Sequence, residues 1–458
     1  MTRDLDGAIA ATRFGLGARP GQIENASGDP RAWLVAQIKA DGAPQPEPRS
    51  PTSGERLAEL REYQRQRTLA RQSGDAKSDP VKMAAKLIRD DAGADFMARV
   101  RLAATTDDDF AERWALFFAN HFTVSAAKGA TATLIGPFEQ EVIRPHAFGR
   151  FEDMLVASSQ HPAMLIYLDQ AQSIGPDSQA ATRAARGGRK VGLNENLARE
   201  IMELHTVGLE AGYSQADVTE FARAMTGWSL GRLDQSQEPM GFMFRPFAHE
   251  PGARTIMGRR YAEDGEGQAR AVLADLAASP HTARHLALKI GRHFVSDQPP
   301  ASLTARLARA YLESSGRLDV VARALVAAPE AWVSPPAKVK TPYEFLVSSW
   351  RAMGVPPDQG GAMAAAMTSM GQRPFSAPSP KGWPEEAAAW ASPDSIVKRM
   401  AWSETFAARA AGQSDPIQVA ENALGSRLGP LAAQTIARAE TRAEGLSILL
   451  MSPEFQRR

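Results

Sequence analysis

Apolar residues recur at spacings of three and four along most of the chain, and the period-two alternation of β-branched residues that marks strands is nearly absent. The spacing predicts an all-α protein: a multi-helix globular body, read as one domain over 1–458, with at most a short β-hairpin. A Pro-rich break, DGAPQPEPRSPT, precedes the charged ERLAELREYQRQRTLARQ, which reads as an exposed helix. With a turn from Gly74 to Pro80 and a second helix near 81–104, residues 54–104 are expected to project as a helical hairpin. Residues 171–192 hold Arg183, Arg186, Arg189 and Lys190 among Gly, Ser and Ala, a composition that predicts a mobile basic loop. Alternating Phe242 and Phe244 ahead of a Pro/Gly turn predict a short β-hairpin within 240–262. Ser214 with Asp217 three residues on forms a capping box. Ser279-Pro280 and Ser392-Pro393 each pair a capping hydroxyl with Pro at the first helical position, and His161-Pro162 opens another helix.

Composition narrows the chemistry more than the partners. The chain has 458 residues, 43% of them apolar, enough for a sizeable core, and 53 Lys and Arg against 52 Asp and Glu leave a net charge of +1. That balance favours neither nucleic acid nor an anionic membrane. No apolar run approaches the ~18 residues of a membrane span, and the opening residues lack the features of a signal peptide, so a cytoplasmic protein is expected. With no cysteine in the chain, any metal has to sit on His, Asp or Glu.

Helical geometry sorts the candidate functional residues in NENLAREIMELHTVGLEAGYSQADVTEFARAMTGW, 194–228. At 100° per residue, His205 falls inside the apolar stripe of Leu197, Ile201 and Leu204, whereas Glu195, Arg199 and Glu203 follow at spacings of four on the other side. Glu203 and His205 therefore point about 160° apart and cannot share a metal. Asn196, Glu200 and Glu203 lie within about 60° of arc and are the candidate oxygen ligands or polar anchors, with Glu200 and Glu203 the pair for a divalent metal. The alternative is an ion-pair ladder of Glu195, Arg199 and Glu203. A second histidine, His121, sits in an aromatic stripe with Phe110, Trp114 and Phe117, so His121 and His205 are either core histidines or members of one internal polar site. His281, His285, Lys289 and Arg292 form a basic stripe, read as a solvated face or an anion contact. Trp383 stands with Phe375 and Trp390 in a Pro-rich loop, as a loop-pinning aromatic or a stacking platform. The chain has no HExxH, GxGxxG, P-loop or GxSxG signature.

The 194–228 segment resembles the bacterial family known as domain of unknown function 1800. The likeness extends to RFGLGARPG (13–21), WALFFANHFTVS (114–125), HPAMLIYLDQ (161–170) and HEPGARTIMG (249–258). It continues through SPHTARHLALKIGRHFV (279–295), KTPYEFL (340–346) and GQRPFSAPSPKGWP (371–384). The resemblance implies an α-helical body and genomic pairing with a second family, domain of unknown function 1501, which looks like an exported sulfatase or phosphatase relative. Trp228 and His249 join Asn196 and Trp383 as candidate binding residues, although His249 is followed by Glu250 where the family more often has Asp. Two expectations follow. One is a helical binding or assembly protein working with the sulfatase-like partner, which would give it a periplasmic site of action if the two are exported together. The other is a metal-assisted hydrolase using His121, His205, Glu200 and Glu203, with Arg199 or Lys381 handling substrate charge.

Overall fold

Side-chain caps decide where the helices begin. The computed structural model describes residues 2–72, 79–231, 241–334, 336–358, 360–412 and 414–458. Ser214 Oγ accepts the Asp217 N–H while the Asp217 carboxylate accepts the Ser214 N–H, closing the expected box on Gln215–Ala224. Thr341 and Glu344 close another on Pro342–Met353. Ser279 and Ser392 cap helices whose first residue is Pro, and His161 does the same through Nδ1, which accepts the Ala163 N–H at 3.1 Å.

The fold is all-α in its bulk. Among the described residues, strand is confined to two three-residue antiparallel pairs: Trp228–Leu230 with Phe242–Phe244, and Arg254–Ile256 with Arg259–Tyr261. The second is a hairpin inside the expected 240–262 span. The first is an addition, because Phe242 and Phe244 pair back onto the segment that follows the capping-box helix. Helices Ser53–Gln72 and Asp79–Thr105 pack against each other over the hairpin span. The turn expected from Gly74 lies largely in 73–78, outside the described residues, as does Met240.

Residues 171–192 contain a helix, Gln179–Arg186, with Ser178 as its cap. The four basic side chains of this segment are exposed, but Ala184 is buried and Glu250 Oε2 accepts the Asp177 N–H at 2.8 Å. A capping serine ahead of an Ala-rich stretch is the signal that composition obscured, and Glu250 is long enough to reach the loop it fastens.

Apolar burial is divided between two clusters. The larger draws on residues from Ile9 to Trp332, with Trp114 at its centre, fully buried, its indole N–H donated to the Ala147 carbonyl at 2.7 Å. The smaller combines Leu16, Phe96, Val100 and Ala103 with side chains from Tyr343 to Phe455, and Phe375 packs against both. Buried ion pairs cross the seam. Arg351 donates to Gly17 O, Ala103 O, Gln22 Oε1 and Asp109 Oδ2 at 2.5–2.9 Å, and Arg113 pairs with Glu344, which also accepts from Arg458.

Three helical runs are interrupted by π-helical turns: Ala10–Phe14, Glu139–Ile143 and Ile201–His205. Such turns re-aim the residues that follow and recur at functional sites. Here the second delivers Glu139 to the seam between the cores. The third leaves the carbonyls of Leu204 and His205 to be satisfied by other helices.

Candidate functional site

The histidines singled out from sequence meet at the end of that third π turn. His121 Nε2 donates to the His205 carbonyl at 3.1 Å, and His285 Nε2 donates to the Leu204 carbonyl at 3.0 Å. The rings of His121 and His205 lie 5.9 Å apart, with His285 6.5 Å from His121. Each donating imidazole thus caps a carbonyl that the helix end leaves open. All three stay neutral, because burial first and the nearby Lys289 ammonium second push their pKa down, for His205 to about 3 and for His285 to about 4. Half-buried Lys289 is itself lowered to about 8. Part of the basic stripe thus turns inward: His285 reaches the Leu204 carbonyl, and half-buried Lys289 acts on all three rings.

The remaining candidates are dispersed. Arg199 pairs with Glu195 at 2.9 Å on the surface and shares Gln215, so one rung of the expected ladder is present. Asn196 is exposed. Glu200 and Glu203 are half-buried, and burial followed by the Glu203 charge raises the Glu200 pKa. Among the described residues no three His, Asp or Glu side chains are grouped to hold a metal. Trp228 is fully buried against Phe242, and His249 Nδ1 donates to the Thr226 carbonyl, 2.9 Å away. Trp383 is the one that reaches a cavity.

That cavity, about 110 Å³, lies at the seam between the two cores. Apolar walls come from Phe96, Phe138, Phe375 and Trp383; polar ones come from Arg99, Arg113, Tyr343 and His293. Seams between packed units are favoured places for ligand pockets. The loop that closes one side is clamped: Asn120 donates to Trp383 O at 3.0 Å and accepts the Trp383 N–H at 2.7 Å. Gly382 makes the clamp reachable, with φ +85° and no room for a Cβ, which would stand 2.6 Å from Asn120 O. Phe375 holds a left-handed φ of 52°, strained for a bulky residue, and such strain concentrates at functional positions.

His293 and Glu385 form a pair on the cavity wall, Nδ1 to Oε1 2.9 Å. Burial lowers the His293 pKa more than Glu385 raises it, so the ring is neutral at pH 7. Burial alone would raise Glu385, but His293, Arg458 and Lys338 bring it down to about 2. The carboxylate is ionised and accepts a hydrogen bond from Nδ1–H, leaving His293 Nε2 as a bare acceptor that is buried without a hydrogen-bond partner. Lys338 reinforces the arrangement by donating to the Glu385 carbonyl and to Asp297, whose other oxygen accepts the Ala387 N–H at 2.8 Å. Opposite, Arg99 pairs with Glu139 at 2.7 Å and lies over the rings of Tyr343 and Phe375 at 4.9 and 5.4 Å.

Sequence reasoning passed over His293, Glu385, Arg99 and Tyr343. A signal for His293 exists: it stands seven residues after Leu286 and three after Ile290, inside the apolar stripe of its helix. Its partner Glu385 comes from 92 residues further on, which no local pattern reveals.

The family model described as protein of unknown function (DUF1800) matches residues 9–457. No curated protein and no solved structure matches the chain.

Proposed function

We propose, for a chain that belongs to the DUF1800 family of proteins of unknown function, that the seam cavity is a ligand site in which His293 acts as general base on a small substrate. One observation carries the reading: a neutral histidine on the cavity wall, oriented by an ionised carboxylate at 2.9 Å, with its second nitrogen unpartnered. A proton taken from a substrate hydroxyl, or from a water attacking the substrate, would lodge on Nε2, and the Glu385 carboxylate would stabilise the imidazolium that forms. Arg99 and Arg113 lie on the same cavity, where developing negative charge is stabilised most in a water-poor site. The segments that carry the family resemblance supply much of the wall: Leu16, Asn120, Thr123, His293, Tyr343 and Trp383.

A second reading, docking of a sulfatase-like partner, draws on exposed Leu69, Met83 and Leu87 of the helical hairpin. The two readings are compatible, since the inner end of that hairpin supplies Phe96 and Arg99 to the cavity. No helix among the described residues is long and apolar enough to cross a membrane.

Turnover of a panel of esters, amides and lactones by the wild-type protein and by His293→Gln tests the general-base reading. The expected result is hydrolysis of at least one panel member, reduced roughly a hundredfold or more in the variant with its melting temperature retained. Equal rates in the two proteins, or no turnover of any panel member by the wild type, would contradict it.

A further inference from the structure

We propose that the outer half of the helical hairpin is an interfacial arm that seats on an anionic phospholipid surface. The inference is independent of the seam cavity, and it gives exposed Leu69, Met83 and Leu87 an occupant other than a protein partner. It starts from where the hairpin stops being packed. At its base Leu57, Leu60 and Phe96 are buried, and buried Arg56 pairs with Asp91 and Asp95 across the two helices. Beyond that base, over 61–72 and 79–94, Ala70 alone is buried among the side chains the structure describes. At 1.5 Å per residue the first helix therefore runs roughly 18 Å past its last packed layer. Two helices that meet over one buried alanine have no core of their own, and helices draw most of their stability from a covered apolar face. Yet Leu69, Met83 and Leu87 are 48%, 72% and 50% exposed.

Charge says what covers them. The near-zero total of the chain hides an uneven distribution: residues 61–72 and 79–90 carry seven Lys or Arg against three Asp or Glu, a net +4, and Asp75 and Lys77 between them cancel. On a chain of +1 the remainder is therefore −3. Two exposed pairs, Arg65 with Glu62 and Lys82 with Asp79, occupy part of the arm's charge. Arg71, Lys86 and Arg89 are exposed and enter no ion pair among the described residues. Lys82, Lys86 and Arg89 follow at spacings of four and three along one line of the second helix, and Met83 and Leu87 form the line beside it. Interfacial helices combine the two residue types in this way, because basic stems lie along apolar neighbours while their charged ends reach the phosphate layer. A protein interface is built otherwise, with a core depleted in Lys and enriched in aromatic residues. The span 61–90 holds no Phe or Trp, and its single Tyr63 lies under the Arg67 guanidinium. Nucleic acid would meet the cations and leave Met83 and Leu87 uncovered. Anionic phospholipid meets both, and each basic side chain near its surface adds to the attraction.

The test is flotation of the full-length protein with phosphatidylcholine vesicles, with and without added phosphatidylglycerol, in low and in moderate salt. Partition onto the phosphatidylglycerol vesicles is expected to exceed that onto phosphatidylcholine alone at least tenfold in low salt, and to weaken severalfold in moderate salt as the exposed charges are screened. Two double variants at exposed positions separate the two contributions, each with its melting temperature checked against wild type. Lys82→Glu with Lys86→Glu is expected to lower the partition at least tenfold. Met83→Ser with Leu87→Ser, which leaves the charge unchanged, is expected to lower it about tenfold as well, because apolar side chains are lost from the lipid. Equal partition onto the two vesicles, no partition onto either, or wild-type partition in the Met83 and Leu87 variant would each overturn the proposal. Duplex DNA binding without vesicle binding, lost in the Lys82 and Lys86 variant, would assign the arm to nucleic acid instead. None of these outcomes bears on turnover at the seam cavity, so the general-base reading stands or falls separately.

Discussion

Acidification from pH 7 to pH 5 is expected to cost this protein on the order of 5 kcal/mol of stability. The cause is the group of His121, His205 and His285 around the Leu204 and His205 carbonyls, with Lys289 beside it. In the unfolded chain each histidine takes up its proton near pH 6.5; in the folded protein burial and the Lys289 ammonium keep all three neutral to well below that. The unfolded state thus binds more protons below pH 6.5, and stability falls as pH falls. Each histidine contributes about 2 kcal/mol of loss by pH 5. Asp109 works the other way: burial raises it to about 6, above its unfolded value, so its protonation returns about 1 kcal/mol over the same range. A loss of this size approaches the whole stability of an ordinary domain. Urea unfolding at pH 7.5, 6 and 5 measures it, and Lys289→Met should flatten the dependence by letting the three folded pKa values rise. A fall below about 1 kcal/mol would mean that the histidines are not held neutral.

Arg351→Met is expected to destabilise the protein by about 3–5 kcal/mol, the range for removing one partner of a fully buried ion pair. Arg351 and Asp109 are both fully buried, 2.8 Å apart. The guanidinium also holds Gly17 O, Ala103 O, Thr106 O and Gln22 Oε1, so its loss strips acceptors on the 13–21 segment and at the end of the 79–105 helix together. Asp109 would be left charged in an apolar core or would protonate. The double variant Arg351→Met with Asp109→Asn removes that charge and should recover part of the loss, as expected when an orphaned ion rather than a missing contact carries the penalty. Chemical denaturation of the wild type and the two variants checks it; a loss under about 1 kcal/mol in the single variant would show that the seam is not held here.

Helix content and helix starts were legible because they depend on near neighbours: Ser214 and Asp217, Ser279 and Pro280, Ser392 and Pro393 act within three residues of one another. Periodicity also placed His121 and His205 in apolar stripes, and the two rings do approach to 5.9 Å. What periodicity at 100° per residue could not anticipate was the π turn at Ile201–His205, which opens the Leu204 and His205 carbonyls that His285 and His121 cap. The cavity was illegible for a different reason. Arg99, Arg113, His293, Tyr343 and Glu385 come from five separate segments, and each reads locally as an ordinary helix or loop residue. The quoted family segments held only His293 and Tyr343 of these residues, and only packing of the two cores shows that all five share one wall.

The measurement that bears most directly on the central claim is the two-bond proton–nitrogen spectrum of the histidine rings in uniformly nitrogen-15-labelled protein at pH 7. With Glu385 ionised beside Nδ1, His293 is predicted to be neutral, protonated on Nδ1 and bare at Nε2, whereas His121 and His285 carry their proton on Nε2 toward the backbone carbonyls they cap. His293→Gln assigns the resonance by its disappearance. A His293 ring protonated on Nε2, or on both nitrogens, at pH 7 would leave His293 without a free base at Nε2 and would contradict the account.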